Sequence, residues 1–418
     1  MNGYRELCLD LPPEVDTLCN SVRKFAQNTL RPIARELDAM ADPADVIAAD
    51  SPLRRAFREA YRLGFHVASL PTKLGGLGLR GLGFHVFIEE LSCGAVDLAL
   101  SILTTSFPFS AAAGSGSREL YEEFVRPYVE DRDAKYIGCW GITEPQHGSD
   151  TLMAGTPEFH NPRVSGQVVA RDNGDCWILN GQKSAWVTNG TIATHMALYL
   201  TIDPARGMSG GGIAFVPLNL PGVSRGKPLD KLGQRALNQG EVFFDEVRLP
   251  KSFMVTGNDR YEPMLVRTLS SANSIMATAF TGHARAAYEA ALQYSMERVQ
   301  GGKRICDHQL IQKKLFEMFS KVETCRALSR AVLIYNRGSG EPSIQHAIAA
   351  KTFCTQTAFE VASDAVQVFG GYGLSREYPV EKLLRDARAA MIEDGTNEVL
   401  SLTGARHILN EAGAPKSS

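Results

Sequence analysis

The chain reads as an α+β protein: an N-terminal helical domain, a middle antiparallel β-barrel or sandwich, and a C-terminal four-helix bundle. Three observations predict this. Apolar residues recur at helical spacing from Leu11 to about Arg132. Between Tyr136 and about Pro250 the period shortens and turn residues multiply, and after Pro250 long helical stripes return. The 418 residues allow two or three domains, at roughly 150 residues each. The texture changes place them at 1–135, 136–250 and 251–418.

In the first segment Val22, Phe25 and Leu30 share a face, and Leu63, Phe65, Phe84, Phe87 and Leu91 recur later. Pro12 and Pro13 precede the first helix, and Pro71 with Gly75, Gly76 and Gly78 interrupts the array. In the middle segment the expected strands are Tyr136–Ile142, Gln167–Ala170, Cys176–Leu179, His195–Ile202, Gly212–Val216 and Glu241–Val247. Asn173-Gly174, Asn180-Gly181, Asn189-Gly190 and the Gly207–Gly212 cluster are expected turns. Strands so short and closely spaced pair antiparallel and do not form βαβ units. In the last segment Met276, Phe280, Ala284, Ala287, Ala291 and Ser295 form one stripe. Ile311, Leu315, Met318, Val322, Cys325, Val332 and Tyr335 form a second, ending at a breaker, Arg337–Pro342. A third runs from about Ser343 to Phe369 and a fourth element follows Tyr378-Pro379, which gives the four-helix expectation. The polar tail from Gly413 is expected to fray.

Composition narrows the function. Hydrophobic residues at 44% and charged residues at 22% exclude a disordered or collagen-like chain. Forty-four Lys and Arg against 46 Asp and Glu leave a net charge of -2, so no basic excess exists to neutralise nucleic-acid phosphates. Apolar stretches such as Val96–Leu103 are too short to span a bilayer. The first residues carry acids where a signal peptide needs a basic segment followed by an apolar one. Eight cysteines without a CxxC pair read as buried free thiols in a reducing cytoplasm.

Three apparent motifs carry little. Gly76-Leu77-Gly78-Leu79-Arg80-Gly81 matches GxGxxG, but the residues before it (Ser69 to Lys73) are not a strand, and a helix connector is the better reading. Gly207-Met208-Ser209-Gly210-Gly211 matches GxSxG, yet a polar turn precedes it and a strand follows, which describes a hairpin rather than a nucleophile elbow. The histidines at 147, 195, 283, 308 and 346 lack metal-ligand spacing, so no metal is expected.

Five segments read together say far more. They are Trp140-Gly141-Ile142-Thr143-Glu144-Pro145-Gln146-His147-Gly148-Ser149-Asp150; Leu179 to Gly190, containing Trp186-Val187-Thr188; Lys231-Leu232-Gly233-Gln234-Arg235, leading to Phe244 to Pro250; Gln367-Val368-Phe369-Gly370-Gly371-Tyr372-Gly373, followed by Glu377 to Glu381 and Arg385 to Arg388; and Ile392-Glu393-Asp394-Gly395-Thr396-Asn397-Glu398-Val399. In this order and spacing they resemble the acyl-CoA dehydrogenase family over nearly the whole chain. The resemblance implies FAD, α,β-dehydrogenation of an acyl thioester on CoA or an acyl carrier protein, an acceptor such as electron-transferring flavoprotein, and a homotetramer binding FAD across a dimer contact.

The resemblance also implies roles. Trp140, Ile142 and Thr143 would line the flavin ring, with Trp186 and Thr188 beside it. Ser149 would lie near the pyrophosphate and the thioester. Arg298 and Gln309 would reach the FAD of a neighbouring subunit, and Gln367, Gly370 and Gly371 its pyrophosphate, where a glycine pair lets backbone N–H groups approach phosphate closely. Thr396 and Glu398 would be further FAD contacts, and Gly395 would lie against the substrate. Asp394 would be the base that removes the α-proton, with Glu393 as the fallback.

The chain departs from the family pattern in several places. The usual base is glutamate, so Asp394 holds its carboxyl back by roughly one ångström. Ala272 stands where some members place the base on an earlier helix. Ser270 and Asn273 stand where an Asp and an Arg commonly hold the CoA end, and Gly301 replaces an aromatic residue. His147 reads as a solvated loop residue. Aspartate at the base position also occurs in nitroalkane oxidase. Two alternatives therefore stand beside the dehydrogenase: a flavin oxidase or monooxygenase acting on an atypical substrate, and a non-catalytic flavin-binding protein.

Overall fold

The computed structural model describes residue 7, residues 12–338 and residues 340–413, so the tail from 414 onward and Cys8 lie outside the described residues. The first helix, Pro13–Phe25, has proline in its first turn, Glu14 and Asp16 near its N-terminus and Arg23 and Lys24 near its C-terminus, all of which complement the helix dipole. It runs through one π turn, Ala26–Leu30, into Arg31–Ala39.

The helix Gly81–Gly94 is buried almost all round and packs against Pro13–Phe25 and against the long helix Asn258–Glu297. Its two adjacent acids are sunk in this junction. Arg285 donates to Glu89 at 2.7 Å and to Glu90 at 2.8 Å. Arg326 reaches Glu89 at 2.9 Å and Arg23 reaches Glu90 at 2.8 Å. Burial pushes the Glu89 carboxyl up, but Arg326 and Arg285 more than offset it and hold the group well below the usual carboxylate range.

The apolar segment Val96–Gly114 is long and apolar enough to cross a membrane by length and composition, which the shorter stretch Val96–Leu103 is not. It is two helices, Val96–Thr104 and Phe107–Gly114, and 61% of its apolar window is packed inside the protein.

Eight strands form the middle sheet: β1 (Gly138–Gly141), β2 (Val169–Asp172), β3 (Cys176–Thr188), β4 (His195–Thr201), β5 (Gly211–Pro217), β6 (Val223–Arg225), β7 (Gln239–Pro250) and β8 (Met254–Thr256). The order is β6-β7-β3-β2-β4-β5-β8, with β1 on β4. Most pairs are antiparallel, but β1 and β4 run parallel, as does the single β2–β4 contact. Asn180-Gly181 is not a turn: β3 passes straight through it and pairs with β7 on either side of a bulge. Gly181 has φ +129, and a Cβ there would stand 2.6 Å from the carbonyl oxygen of Gln167. Glycine lets two chains touch at that point and so preserves the strand. The Gly207–Gly211 stretch joins antiparallel β4 and β5, and Gly76–Gly81 is a connector leading into a helix.

The C-terminal region holds Asn258–Glu297, Gln309–Asn336 and Ile344–Phe369 as long helices. The fourth expected element is two helices, Val380–Ala390 and Asn397–Glu411, divided by a loop at 391–396. A two-stranded hairpin, Val299–Gln300 with Lys303–Arg304, follows the long helix. Its strands are too short to leave a periodic signal.

Candidate active site

A cavity of ≈770 Å³ opens where β1, β3, the Asn258–Glu297 helix and the 391–396 loop meet. Volumes of this order are typical of small-molecule sites. Its walls include Leu100, Leu103, Phe107, Trp140, Ile142 and Met276, and its polar groups include Thr143, Ser149, Thr188, Glu393 and Asp394.

One wall is the loop after β1. Buried Lys183 on β3 donates to Glu144 at 2.7 Å and to the Ile142 carbonyl at 3.0 Å. Glu144 accepts the Val168 N–H at 3.0 Å as well as that of Gln167. The Ser184 N–H donates to the Thr143 carbonyl at 2.8 Å. This network fixes the loop against the sheet, so Trp140, Ile142, Thr143 and Ser149 face one space. His147 is not solvated. Its Nδ1 lies 2.6 Å from Asp150 Oδ2, its side chain is 13% exposed, and it lines the cavity, because the Glu144–His147 turn folds it back inside.

The facing wall carries the acids. Asp394 adopts φ +51, a left-handed conformation that aspartate tolerates better than most non-glycine residues, and Gly395 follows at φ +96. Lys351, fully buried in the Ile344–Phe369 helix, donates to the Gly395 carbonyl and to Asn397 Oδ1, each at 2.8 Å. The Thr396 N–H donates to Ser149 Oγ at 2.9 Å, linking the two walls, and Thr396 Oγ1 caps the last helix at the Val399 N–H. Among the described residues the Asp394 carboxyl accepts no hydrogen bond, and the Asp394 and Gly395 N–H groups donate none. Burial pushes Asp394 up to about 6 against the pull of Lys351, and the same burial lowers Lys351 to about 8.

Glu393 lines the same cavity and accepts a 3.1 Å hydrogen bond from Gln234 Nε2. Burial pushes it up to about 7, with Gln234 and Lys231 opposing. Gln234 is itself held by Asp386, through its N–H at 2.5 Å and through its amide at 3.2 Å. On the sheet side Thr188 Oγ1 accepts from Gln239 Nε2 at 3.3 Å, and Trp186 is 56% exposed at the rim.

The main cavity thus gathers Trp140, Ile142, Thr143, Ser149, Trp186, Thr188, Glu393, Asp394, Gly395 and Thr396. Ala272 is also on its wall, with no proton acceptor to offer. Arg298, Gln367, Gly370 and Gly371 line a second cavity of ≈840 Å³, together with Gly301 and Tyr372. Gln309 is exposed beside it, between two of its lining residues, His308 and Leu310. Glu398 is exposed on the last helix and lines neither cavity. Ser270 and Asn273 are not on either cavity wall. Both are fully buried and donate to carbonyls one turn back in their own helix, Val266 and Leu269. Lys351 was not singled out from sequence. Its signal was a lysine in phase with the apolar face of Ile344, Ala347, Ile348, Ala350 and Cys354.

Family models for the acyl-CoA dehydrogenase N-terminal, middle and C-terminal domains match residues 12–132, 139–247 and 266–409. The chain belongs to the acyl-CoA dehydrogenase family, whose members are flavoprotein oxidoreductases acting on CH–CH bonds of acyl thioesters. Human mitochondrial short-chain specific acyl-CoA dehydrogenase is 30% identical over 405 residues, 96% of this chain and 91% of that protein. Butyryl-CoA dehydrogenase from Megasphaera elsdenii is similar in structure, with a TM-score of 0.83 and 28% identity over 96% of this chain and 99% of that one. A chain from a structure of the electron transferring flavoprotein of Acidaminococcus fermentans matches with a TM-score of 0.84 and 28% identity, covering 96% and 99%.

Proposed function

We propose that this chain binds FAD and dehydrogenates an acyl thioester between its α and β carbons, with Asp394 as the base. The observation that supports this best is a raised carboxyl, free of hydrogen bonds, facing a largely apolar cavity that Trp140, Trp186 and Thr188 share. The residues present suit a flat flavin ring: apolar and aromatic side chains, with the hydroxyl residues Thr143 and Thr188 on the same cavity wall. When bound, the flavin supplies the acceptor for the β-hydride. Around Gly370 and Gly371 a Cβ would meet nothing within 4 Å, which leaves open space for a phosphate in the second cavity, near Arg298.

In this reading the Asp394 carboxylate takes the α-proton, and the unpartnered Asp394 N–H receives the thioester oxygen as charge builds on it. Lys351 and Ser149 hold the loop in place through Gly395, Asn397 and Thr396. The apolar walls exclude water. The partner expected to take the electrons is an acceptor of the electron-transferring flavoprotein kind. The chain works as a homotetramer in which Arg298 and Gln309 serve the FAD of a neighbour. Leu310, 81% exposed on the wall of the second cavity, and Phe316, 68% exposed further along the same helix, are the kind of surface such a contact covers. The seven described cysteines are free thiols, in keeping with a cytoplasmic setting. The functional units are 1–135, 136–250 and 251–418.

Anaerobic stopped-flow mixing of the flavin-loaded protein with a panel of acyl-CoA thioesters tests the reading. Loss of oxidised-flavin absorbance is the expected result. A protein that takes up no flavin, or one bleached by no thioester, contradicts it. Rapid reoxidation in air would assign an oxidase instead.

A further inference from the structure

Glu393 is a second carboxyl on the wall of a cavity whose chemistry uses one. One of its oxygens, Oε2, accepts from Gln234 Nε2 at 3.1 Å. The other accepts no hydrogen bond among the described residues, and Glu393 forms no ion pair there. Lys231, on the same cavity wall, donates from its Nζ to the Leu237 carbonyl at 2.7 Å and to Gln239 Oε1 at 2.9 Å rather than to Glu393. Gln234 Oε1, buried on the same wall, is also without a donor. The Gln234 oxygen is thus a buried acceptor without a partner, and the second Glu393 oxygen opens to a cavity that Leu100, Leu103, Phe107 and Met276 also line.

A desolvated acceptor without a donor is costly, and an apolar acyl chain brings no donor to it. The Gln234 side chain is held through its amide nitrogen, which donates to the Asp386 carbonyl at 3.2 Å and to Glu393 at 3.1 Å. A donor on the bound substrate would satisfy it.

Resting on the acyl-thioester reading above, we infer that Glu393 is a specificity-determining residue that selects acyl groups carrying a hydrogen-bond donor, a hydroxyl or an amine, along the chain. Asp394, free of hydrogen bonds, remains the group that takes the proton. Glu393, held by Gln234, recognises the substituent. A site built to receive a polar group discriminates strongly against the analogue lacking it.

The test compares butyryl-, valeryl- and hexanoyl-CoA with their ω-hydroxy and ω-amino derivatives, reading kcat/KM by flavin bleaching in the intact flavin-loaded protein. A preference of roughly 10–100-fold for a donor-bearing chain is expected, the size of one hydrogen bond to a charged group. In Glu393→Leu the ratio between donor-bearing and plain chains should collapse towards one. Glu393→Gln, which keeps the shape and the contact with Gln234, should retain part of it and serves if the leucine variant does not fold. Equal or better use of the plain chains by the wild-type protein overturns the inference while leaving the dehydrogenase reading intact. Bleaching by no thioester overturns both.

Discussion

The ammonium of Lys351 lies 2.8 Å from the carbonyl oxygen of Gly395, so a cation buried in one helix pins the turn that carries Asp394. Its second bond, to Asn397 Oδ1, also at 2.8 Å, ties the same turn to the start of the last helix. Lys351→Met keeps the bulk and removes the donor. Leaving the Gly395 carbonyl without its donor, and Asn397 Oδ1 with Thr355 alone, should cost about 1–3 kcal/mol, read as a lower urea midpoint. A shift of the base by ~1 Å should slow bleaching on the order of a hundredfold. Because Lys351 pulls Asp394 downward, the variant's pH profile should also move to higher pH. A packing role alone would leave that profile in place.

The pH dependence follows from Asp394 itself. Burial raises its carboxyl to about 6, and only the ionised form accepts a proton. Activity should therefore be full above that value and fall about tenfold per unit as pH drops below it. Glu393, raised to about 7, titrates next to it, so the measured inflections belong to the pair. A kcat/KM profile that stays flat through this range would contradict the assignment.

The junction between the N-terminal helices and the bundle should be intolerant of neutralisation. In Glu89→Gln, Arg285 and Arg326 would face an amide in place of the carboxylate they now share. Uncompensated buried charge of this kind costs about 3–5 kcal/mol, measurable by denaturant titration. Since Glu89 is held well below the usual carboxylate range, its contribution is present above the ordinary carboxylate value, about 4, and is lost only as pH falls through its far lower folded value.

The second cavity makes its own prediction. Arg298 lies on its wall with the guanidinium 5.4 Å from the Tyr372 ring, exposed and available to an anion. Arg298→Ala should weaken flavin retention by about tenfold or more, read as the flavin-to-protein absorbance ratio after gel filtration. Unchanged flavin content would remove Arg298 from the binding site.

Much of this was legible in the sequence because periodicity reports burial directly. The change from helix to strand near Tyr136 and back near Pro250 marks where β1 begins and where β7 ends. What escaped was set by long-range contact. Gly181 looked like a turn because its dipeptide is a turn signal, whereas the close approach of Gln167 makes it a bulge within one long strand. His147 looked solvated because its neighbours are polar, but its partner Asp150 and the Glu144 turn place it against the cavity. Ser270 and Asn273 stand at positions expected to face a ligand, yet each donates within its own helix, and the Asn273 Oδ1 is buried without a partner. The acids at 393 and 394 were visible as residues. Their division into a free carboxyl and a held one depends on Gln234, 159 positions away from Glu393, and no local pattern records that contact.

The most direct test of the account is the bleaching rate of Asp394→Asn, loaded with flavin and mixed anaerobically with the best thioester found for the wild-type protein. The substitution is nearly isosteric, removes the proton acceptor and suits the left-handed backbone at φ +51. Flavin should stay bound and the rate should fall by at least about a hundredfold. A variant that bleaches at the wild-type rate would contradict the assignment of Asp394 as the base.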